Sequence, residues 1–230
     1  MPEAAPTIGV AGLGRLGTAV LDRARRQGLR VVLRASRTGW QADAVPDVLV
    51  DASAPAAGEQ VRDYCLRHGV ALVECVSDLD ARQWSALAEL AAVVPVVRAT
   101  NLTVGHYVQS RLVRCVAALP EPVRAPASVW ERHPATKAHR PSATAVALGR
   151  TWTDGSGAEP SDISSQRSGL PVSEHEVLWT WQAETLALRH SVGSLAAAAA
   201  GAVTAVCWAH GRPAGMASMD AVYDDLMGIR

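Results

Sequence analysis

The stretch "TIGVAGLGRLGTAVLDRARRQG", residues 7–28, decides the fold of the first half of the 230-residue chain. An apolar run leads into Gly12, Gly14 and Gly17, and an amphipathic segment follows over residues 16–27. This order predicts a strand, a tight glycine turn and a helix. In such a unit the glycines permit the turn, the approach of a pyrophosphate and close helix packing, while the helix N-terminus attracts the anion. The stretch therefore predicts a dinucleotide site, the alternative being a purely structural glycine turn.

The second predicted strand, residues 29–36, ends without the acidic side chain that would bind the 2'-hydroxyl of an adenosine ribose. Arg34, Ser36, Arg37 and Thr38 stand there instead. Guanidinium and hydroxyl groups can hold a 2'-phosphate through charge-assisted hydrogen bonds, whereas a carboxylate would repel it. The sequence therefore predicts NADPH as the cofactor, with NADH as the alternative if the two arginines are only solvated side chains of a loop.

Strands and helices continue to alternate up to about residue 103. Predicted strands cover residues 47–53, 70–76 and 94–101, and predicted helices cover residues 56–68 and 80–92. Repeated βα units with short links predict a parallel sheet with right-handed crossovers, and ligands of such sheets bind beyond the carboxyl ends of the strands. Further predicted cofactor contacts are Arg15, Leu16, Ser53, Cys75, Ser77 and Asn101.

The second half of the chain changes character. After a predicted helix that ends near residue 119, strand-like stretches follow one another across long polar loops, at residues 127–131, 162–168, 175–181 and 185–190. Consecutive strands predict a smaller, largely antiparallel α+β domain. A last helix of small residues, 194–210, is expected to return the chain to the first domain. We therefore predict a dinucleotide-binding domain of residues 1–103 and 194–230, and a substrate domain of residues 104–193.

Lys137 is the only lysine in a chain with 22 Lys+Arg residues. An ammonium can give up its proton when burial lowers its pKa, whereas a guanidinium stays charged. Lys137 is therefore a candidate for catalysis, the alternative being codon bias.

The stretch around Lys137, "HPATKAHRPSATAVAL", predicts a loop that leaves a strand at Trp130 or Glu131 and enters a helix near Pro141. Proline suits the first helical turn, and the hydroxyls of Ser142 and Thr144 lie near its exposed amides. A helix N-terminus with hydroxyls and a nearby lysine predicts a carboxylate site. The alternative is plain N-capping by Ser142.

The overall composition excludes several classes of partner. With 22 Lys+Arg against 22 Asp+Glu and no long run of one sign, nucleic acid and acidic membranes are not expected partners. Neither a signal peptide nor an uncharged apolar stretch of about 18 residues is visible, which predicts a cytoplasmic protein. No cysteine or histidine pair has metal-ligand spacing, so no metal site is expected.

Several motifs, in order along almost the whole chain, resemble those of the dihydrodipicolinate reductase family. The family pattern E-x-H-H-x-x-K-x-D-x-P-S-G-T-A is similar to "ERHPATKAHRPSATA", residues 131–145. Further similar stretches are "DVLVDASAP", "ATNLTVG", "RSGLPVSEHEVLW", "AGAVTAVCW" and "GMASMDAVYDDL". The resemblance implies an α/β protein with a Rossmann-like parallel-sheet domain, a nicotinamide cofactor, and a smaller α+β domain that binds substrate and forms a homo-oligomer, a tetramer in the family.

The chain also departs from the family pattern. The glycine turn is one residue shorter, and Glu74, Cys75, Val76 and Ser77 replace the family's G-T-T-G. Further departures are Pro134 for the second histidine, His139 for the aspartate, Ala143 for the glycine and Leu195 for an arginine near the last helix. By resemblance, His133 and Lys137 are the catalytic candidates. The substrate-binding candidates are Lys137, Ser142, Ala143 and Thr144.

The chain keeps the family's proton-donor candidate but lacks some of the family's polar contacts. This combination favours the family's reaction on a different substrate. We expect a reductase of a small-molecule imine, or a conjugated imine, that bears one carboxylate, with Lys137 as proton donor and His133 orienting or relaying the proton. One alternative is a divergent 4-hydroxy-tetrahydrodipicolinate reductase of the lysine and diaminopimelate pathway. The other is a catalytically inactive NADPH-binding protein. The sequence assigns no role to His139 or Glu74.

Overall fold

The computed structural model describes residues 5–77, 79–169 and 172–229. The chain divides into two compact units. The first unit is Met1–Thr103 with Leu195–Arg230, and the second is Val104–Ser194. Among the described residues, no helix is both long and apolar enough to cross a membrane.

The described part of the first unit is built on a seven-stranded sheet, in the order β11-β6-β5-β4-β1-β2-β3. Its strands are β1 (Ile8–Ala11), β2 (Val31–Ser36), β3 (Gly39–Ala42), β4 (Val48–Asp51), β5 (Ala71–Glu74), β6 (Pro95–Arg98) and β11 (Gly215–Ser218). All neighbouring strands are parallel except β2 and β3, which form an antiparallel hairpin. The predicted Rossmann-like parallel sheet is thus confirmed, and the two edge strands β3 and β11 extend it.

Five helices of this unit flank the sheet within the described residues. They are α1 (Arg15–Arg26), α2 (Gly58–His68), α3 (Ala81–Ala91), α6 (Ala196–Ala209) and α7 (Met219–Leu226). Helix α1 packs on α6, α2 packs on α3, and both pairs contact the sheet. The small residues of α6 allow close packing, because a Cβ on Gly201 would lie 1.7 Å from the carbonyl oxygen of Leu102. The predicted return of the chain to this unit is therefore made by α6, and α7 follows it.

Strand order reverses at β1, whose neighbours are β2 on one side and β4 on the other. Such a reversal opens a crevice at the carboxyl ends of the strands. The glycine turn follows β1 directly, and Ser53 follows β4. The fold therefore places these two segments at the crevice where open parallel sheets bind ligands.

The second unit has a four-stranded sheet in the order β10-β9-β7-β8, with two helices on it. Its elements are α4 (Val104–Ala117), β7 (Ala127–His133), α5 (Ala143–Ser156), β8 (Asp162–Arg167), β9 (Ser173–Thr180) and β10 (Thr185–Val192). Strand β7 is parallel to β8, because α5 connects them, and antiparallel to β9. The core contains Trp152, Trp179, Val129, Val177 and Leu148. The smaller α+β architecture is confirmed, with one parallel pair in a mixed sheet.

Two predicted boundaries around the candidate loop were wrong. Strand β7 runs on to His133, because Glu131 and His133 continue the buried face of the strand. Helix α5 begins at Ala143 with Ser142 as its N-cap, so Pro141 precedes the cap and is not in the first helical turn. His133 consequently lies on a strand end and not in the loop.

Candidate active site

The glycine turn of the first unit combines tight packing with open space. A Cβ on Gly12, whose φ is +87°, would lie 2.4 Å from the Cα of Ser53, and a Cβ on Gly17 would lie 1.8 Å from the carbonyl oxygen of Gly12. A Cβ on Gly14 would instead meet no described atom within 4 Å. Gly12 and Gly17 are therefore required by the protein's own backbone, whereas Gly14 leaves room for a ligand.

Helix α1 starts at this turn without a side-chain cap among the described residues. Gly14 is its N-cap, Arg15 is exposed and Leu16 is half-buried. The amides and the positive end of the helix dipole suit a phosphate group at this position. The space beside Gly14 and the uncapped helix together fit the pyrophosphate of a dinucleotide.

A cavity of about 460 Å³ lies at the ends of the β2–β3 hairpin. It is lined by Leu13, Arg34, Ser36, Thr38, Gly39, Trp40 and Gln41. The hydroxyl oxygens of Ser36 and Thr38 are 2.8 Å apart. Leu13 belongs to the glycine turn, so the cavity adjoins the helix N-terminus. Guanidinium, hydroxyls and an aromatic ring in one cavity suit a phosphorylated nucleoside.

The other predicted contacts of this unit have different surroundings. Arg37 is exposed and does not line the cavity. Ser77 is also exposed, and Cys75 is half-buried after β5. Asn101 accepts hydrogen bonds from the backbone N–H and the hydroxyl of Thr103. Sequence reasoning missed Trp40 and Gln41, because it did not predict β3.

Two buried carboxyl groups lie side by side at the ends of β4 and β5. Asp51 and Glu74 are register partners and are 0% and 2% exposed. Asp51 accepts hydrogen bonds from the N–H and hydroxyl of Ser53, and Glu74 accepts one from the N–H of Val76. Burial, reinforced by the charge of Asp51, raises the pKa of Glu74 to about 8. The pair therefore holds a proton near neutral pH and shapes the two strand-end loops.

The main polar cluster of the second unit centres on Glu131, which is fully buried on β7. Its Oε2 atom lies 3.1 Å from Nδ1 of His133 and 3.7 Å from Nε2 of His175. Its Oε1 atom accepts hydrogen bonds from the backbone N–H of Ser142 (3.1 Å), the Ser165 hydroxyl (2.6 Å) and Nη2 of Arg167 (2.9 Å). Burial opposes the charge, but these hydrogen bonds outweigh it and hold the pKa of Glu131 at about 2. Glu131 is therefore ionised and lies at the centre of the cluster.

The two histidines beside Glu131 are favoured in their neutral forms. Burial lowers the pKa of His133, although Glu131 acts in the opposite direction. Burial also lowers the pKa of His175 to about 3, with a further contribution from neighbouring His133. Nδ1 of His133 lies 3.1 Å from Oε2 of Glu131, but neither atom has a hydrogen-bond partner among the described residues. A proton on Nδ1 would leave Nε2 able to accept a proton.

Ser142 is committed to contacts within the protein. It is 3% exposed, its hydroxyl accepts the N–H of Ala145, and the same oxygen lies 3.2 Å from Nε2 of His175. Its own N–H is bonded to Glu131. The structure shows the N-capping by Ser142 that was the alternative, and the carboxylate contact stays a prediction. Ala143 is half-buried and Thr144 is buried in the first turn of α5.

Lys137 lies half-buried in the loop between β7 and α5. Its N–H donates to the carbonyl of Pro134 (3.0 Å), which closes a turn. Its carbonyl oxygen accepts a hydrogen bond from Nε of Arg167 (2.9 Å). His139 is exposed, and its carbonyl also accepts from Arg167. The second unit thus brings the lone lysine and His133 into one segment anchored on Glu131 and Arg167.

The ligand atoms of Glu131, His133 and His175 lie within 4.8 Å of one another, which is a geometry that a transition-metal ion could use. The guanidinium of Arg167 sits 2.9 Å from the same carboxylate and opposes a second cation there. The favoured interpretation is an ion-paired, hydrogen-bonded cluster. Spacing along the sequence could not have found it, since two different strands supply the three residues.

Two family models match nearly the whole chain. The model described as the N-terminus of dihydrodipicolinate reductase matches residues 6–102, and the one described as its C-terminus matches residues 105–223. The chain is 30% identical over 252 residues to the 4-hydroxy-tetrahydrodipicolinate reductase of Gluconacetobacter diazotrophicus, covering 96% of this chain and 97% of that protein. It is 31% identical over 240 residues to the enzyme of the same name from Alkalilimnicola ehrlichii, covering 96% and 82%.

Solved structures show the same fold. The dipicolinate-bound dihydrodipicolinate reductase from Paenisporosarcina sp. TG-14 superposes with a TM-score of 0.73 at 15% identity, covering 94% of this chain and 98% of that one. An amine dehydrogenase from Mycobacterium smegmatis gives 0.63 at 14% identity, covering 95% and 96%. With both family models in sequence order and relatives at 30% identity along the full length, the chain belongs to the dihydrodipicolinate reductase family and is an NAD(P)H-dependent oxidoreductase.

Proposed function

We propose that the chain is an NADPH-dependent reductase of an imine, or a conjugated imine, of an amino-acid-derived carboxylate, and that its substrate differs from tetrahydrodipicolinate. The observation that supports this most directly is the ionised Glu131 held 3.1 Å from His133, at the strand end that leads into the loop of the only lysine. In this scheme the first unit binds the cofactor and the second binds the substrate.

The first unit supports NADPH through its charged and hydroxyl groups. Arg34, Ser36 and Thr38 line the cavity beside the glycine turn, where a 2'-phosphate would receive charge-assisted hydrogen bonds. The uncapped N-terminus of α1 would hold the pyrophosphate. Bound NADPH would supply the hydride. Arg37, which does not line the cavity, would add long-range attraction to the same phosphate.

The second unit supports the proton transfer. Lys137 would polarise the substrate and donate a proton to the imine nitrogen. His133, with Nδ1 held against Glu131, orients the reacting group or relays the proton through Nε2. The amides at the start of α5, around Ala143 and Thr144, would bind one carboxylate of the substrate.

The changed substrate is supported by side chains that cannot make the family's polar contacts. Pro134 has no side-chain donor where the family has histidine, and Ala143 adds a methyl group where the family has glycine. Leu195 replaces an arginine. Pro134 and Leu195 thus lack polar side chains that the family has, and the Ala143 methyl narrows the space at the start of α5, so a substrate with one carboxylate fits the chain better.

Steady-state kinetics with NADPH tests the proposal, using tetrahydrodipicolinate and a panel of cyclic and acyclic monocarboxylate imines. We expect at least one of the other imines to be reduced more efficiently than tetrahydrodipicolinate. A kcat/KM for tetrahydrodipicolinate in the usual enzyme range of about 10⁴ to 10⁸ M⁻¹s⁻¹ would support the lysine-pathway alternative instead. Tight NADPH binding without turnover of any imine would support the non-catalytic alternative.

Two further predictions come from the sequence, the first of them through the family resemblance. A homo-oligomer, a tetramer by analogy with the family, is tested by light scattering of the purified protein. A cytoplasmic location is tested by fractionation of cells that express the chain.

A further inference from the structure

Arg167 lies at the end of β8, and its side chain is only 2% exposed. Its guanidinium donates from Nε to the carbonyl of Lys137 (2.9 Å) and from Nη2 to the carbonyl of His139 and to Oε1 of Glu131 (2.9 Å). Nη1 donates to the carbonyl of Gln166 (3.0 Å). One buried side chain therefore bonds the loop on both sides of Ala138 and, at the same time, the carboxylate that faces His133.

This arrangement needs an arginine and not simply a positive charge. A guanidinium is a planar fork whose donors point in fixed directions, so it can satisfy a strand carboxylate and two loop carbonyls together. A lysine ammonium is a single point with a flexible stem and cannot span the same acceptors. Because one acceptor is the carbonyl of Lys137 itself, the bond from Nε fixes the backbone from which the catalytic candidate extends.

We propose that Arg167 is the positioning residue that holds the loop of Lys137 in register with Glu131 and His133. The catalytic consequence rests on the proposed function, whereas the mechanical part concerns only the order of the loop. Arg167 touches neither substrate nor cofactor in this scheme. It acts through the backbone of Lys137 and through Glu131.

The chain provides a direct probe of this loop, because Lys137 is its only lysine. A protease that cleaves only after lysine can cut the untagged protein at one peptide bond, between Lys137 and Ala138, giving residues 1–137 and 138–230. The variants are Arg167→Gln and Arg167→Lys. The lysine variant keeps the charge but adds a second cleavage site at position 167, so the rate of cutting is measured in every protein as the formation of the new C-terminus at residue 137. The matched control is Arg132→Gln, which removes the bond of Arg132 to Glu174 (2.9 Å) in the same sheet without touching the loop.

We expect both Arg167 variants to be cut after Lys137 at least tenfold faster than the unchanged protein, at temperatures well below their melting points. The Arg132→Gln control should be cut at the unchanged rate. With an imine that the unchanged protein reduces, Arg167→Lys should lose about 10- to 100-fold in kcat. The KM for NADPH should stay unchanged, because displacing the proton donor lowers the rate and not the cofactor affinity.

Several results would overturn the proposal. An Arg167→Lys variant cut at the unchanged rate would show that the loop does not depend on the guanidinium, and so would rapid cleavage of the unchanged protein. Faster cleavage with unchanged kcat would show that loop order is irrelevant to catalysis. If Arg167→Gln fails to fold, the lysine variant and the unchanged protein still decide the question. If no imine is reduced, the proposed function fails, while the cleavage rates still test the role of Arg167 in ordering the loop.

Discussion

Replacing Glu131 by glutamine should destabilise the second unit by about 3 kcal/mol at pH 7. Holding a carboxyl pKa at about 2, against 4.5 in an unfolded chain, corresponds to about 3 kcal/mol of native-state stabilisation. Breaking a buried ion pair from one side costs a similar amount, because Arg167 would keep its charge without a carboxylate partner. Both arguments include the contact with Arg167, and they agree in magnitude.

Urea unfolding followed by tryptophan fluorescence measures this change, since Trp152 and Trp179 lie in the core of the second unit. The pH dependence has a defined sign. The depressed pKa of Glu131 gives stability that is fully present above about pH 4.5 and is lost as the pH falls towards 2, so Glu131→Gln should remove this part of the acid sensitivity. Glu174→Gln is the control on β9 and should cost less, because its partner Arg132 is 32% exposed. A Glu131→Gln variant within about 1 kcal/mol of the unchanged protein at pH 7 would refute the reasoning.

Three further predictions concern the first unit. In urea titrations, Glu74→Gln should raise the free energy of unfolding at pH 8 and change it little at pH 5. A carboxyl group whose pKa is raised to about 8 in the folded protein makes the protein less stable as the pH rises above 4.5, so equal effects at both pH values would contradict this prediction. In calorimetry, Arg34→Ala should weaken NADPH binding by roughly tenfold to a hundredfold and leave NADH binding nearly unchanged, and Arg37→Ala should have a smaller effect. Equal affinities of the unchanged protein for NADPH and NADH would contradict this prediction. Gly17→Ala should lower the melting temperature, because its Cβ would overlap a backbone carbonyl, whereas Gly14→Ala should keep the melting temperature and lose cofactor affinity; matching behaviour of the two variants would contradict the assignment of the turn.

Much of the parallel sheet was predictable because its strands are short apolar runs between amphipathic helices and glycine turns. The edge strands β3 and β11 were not, since "GWQA" and "GMAS" are four residues long and mostly exposed, so neither carries an apolar pattern. The true end of β7 was hidden for a different reason. The residues on its buried face are polar at Glu131 and His133, so the apolar alternation that marks a strand stops before the strand does. Polar residues on a buried face are expected at functional sites, where local sequence rules are broken.

The candidate site was only partly predictable. Lys137 and His133 were found from a lone residue type and a motif, which are local signals. The partnership of Glu131 with His175 and Arg167 depends on strand pairing, which a single sequence does not reveal. Glu131, His175 and Arg167 all lie in stretches that resemble the family's motifs. That resemblance was the signal in the sequence that could have pointed to them. The lining of the β2–β3 cavity was missed together with β3.

The central claim is that Lys137 acts as a proton donor and not only as a positive charge. Its most direct test is the kcat of Lys137→Arg and Lys137→Ala on the best imine substrate, with NADPH affinity measured on the same preparations. A guanidinium keeps the charge but cannot give up a proton usefully, so both variants should lose about 10² to 10⁴ in kcat while NADPH affinity stays nearly unchanged. A Lys137→Arg variant that keeps a near-normal kcat and changes mainly KM would show that Lys137 only attracts a carboxylate, and the account would be wrong at its centre.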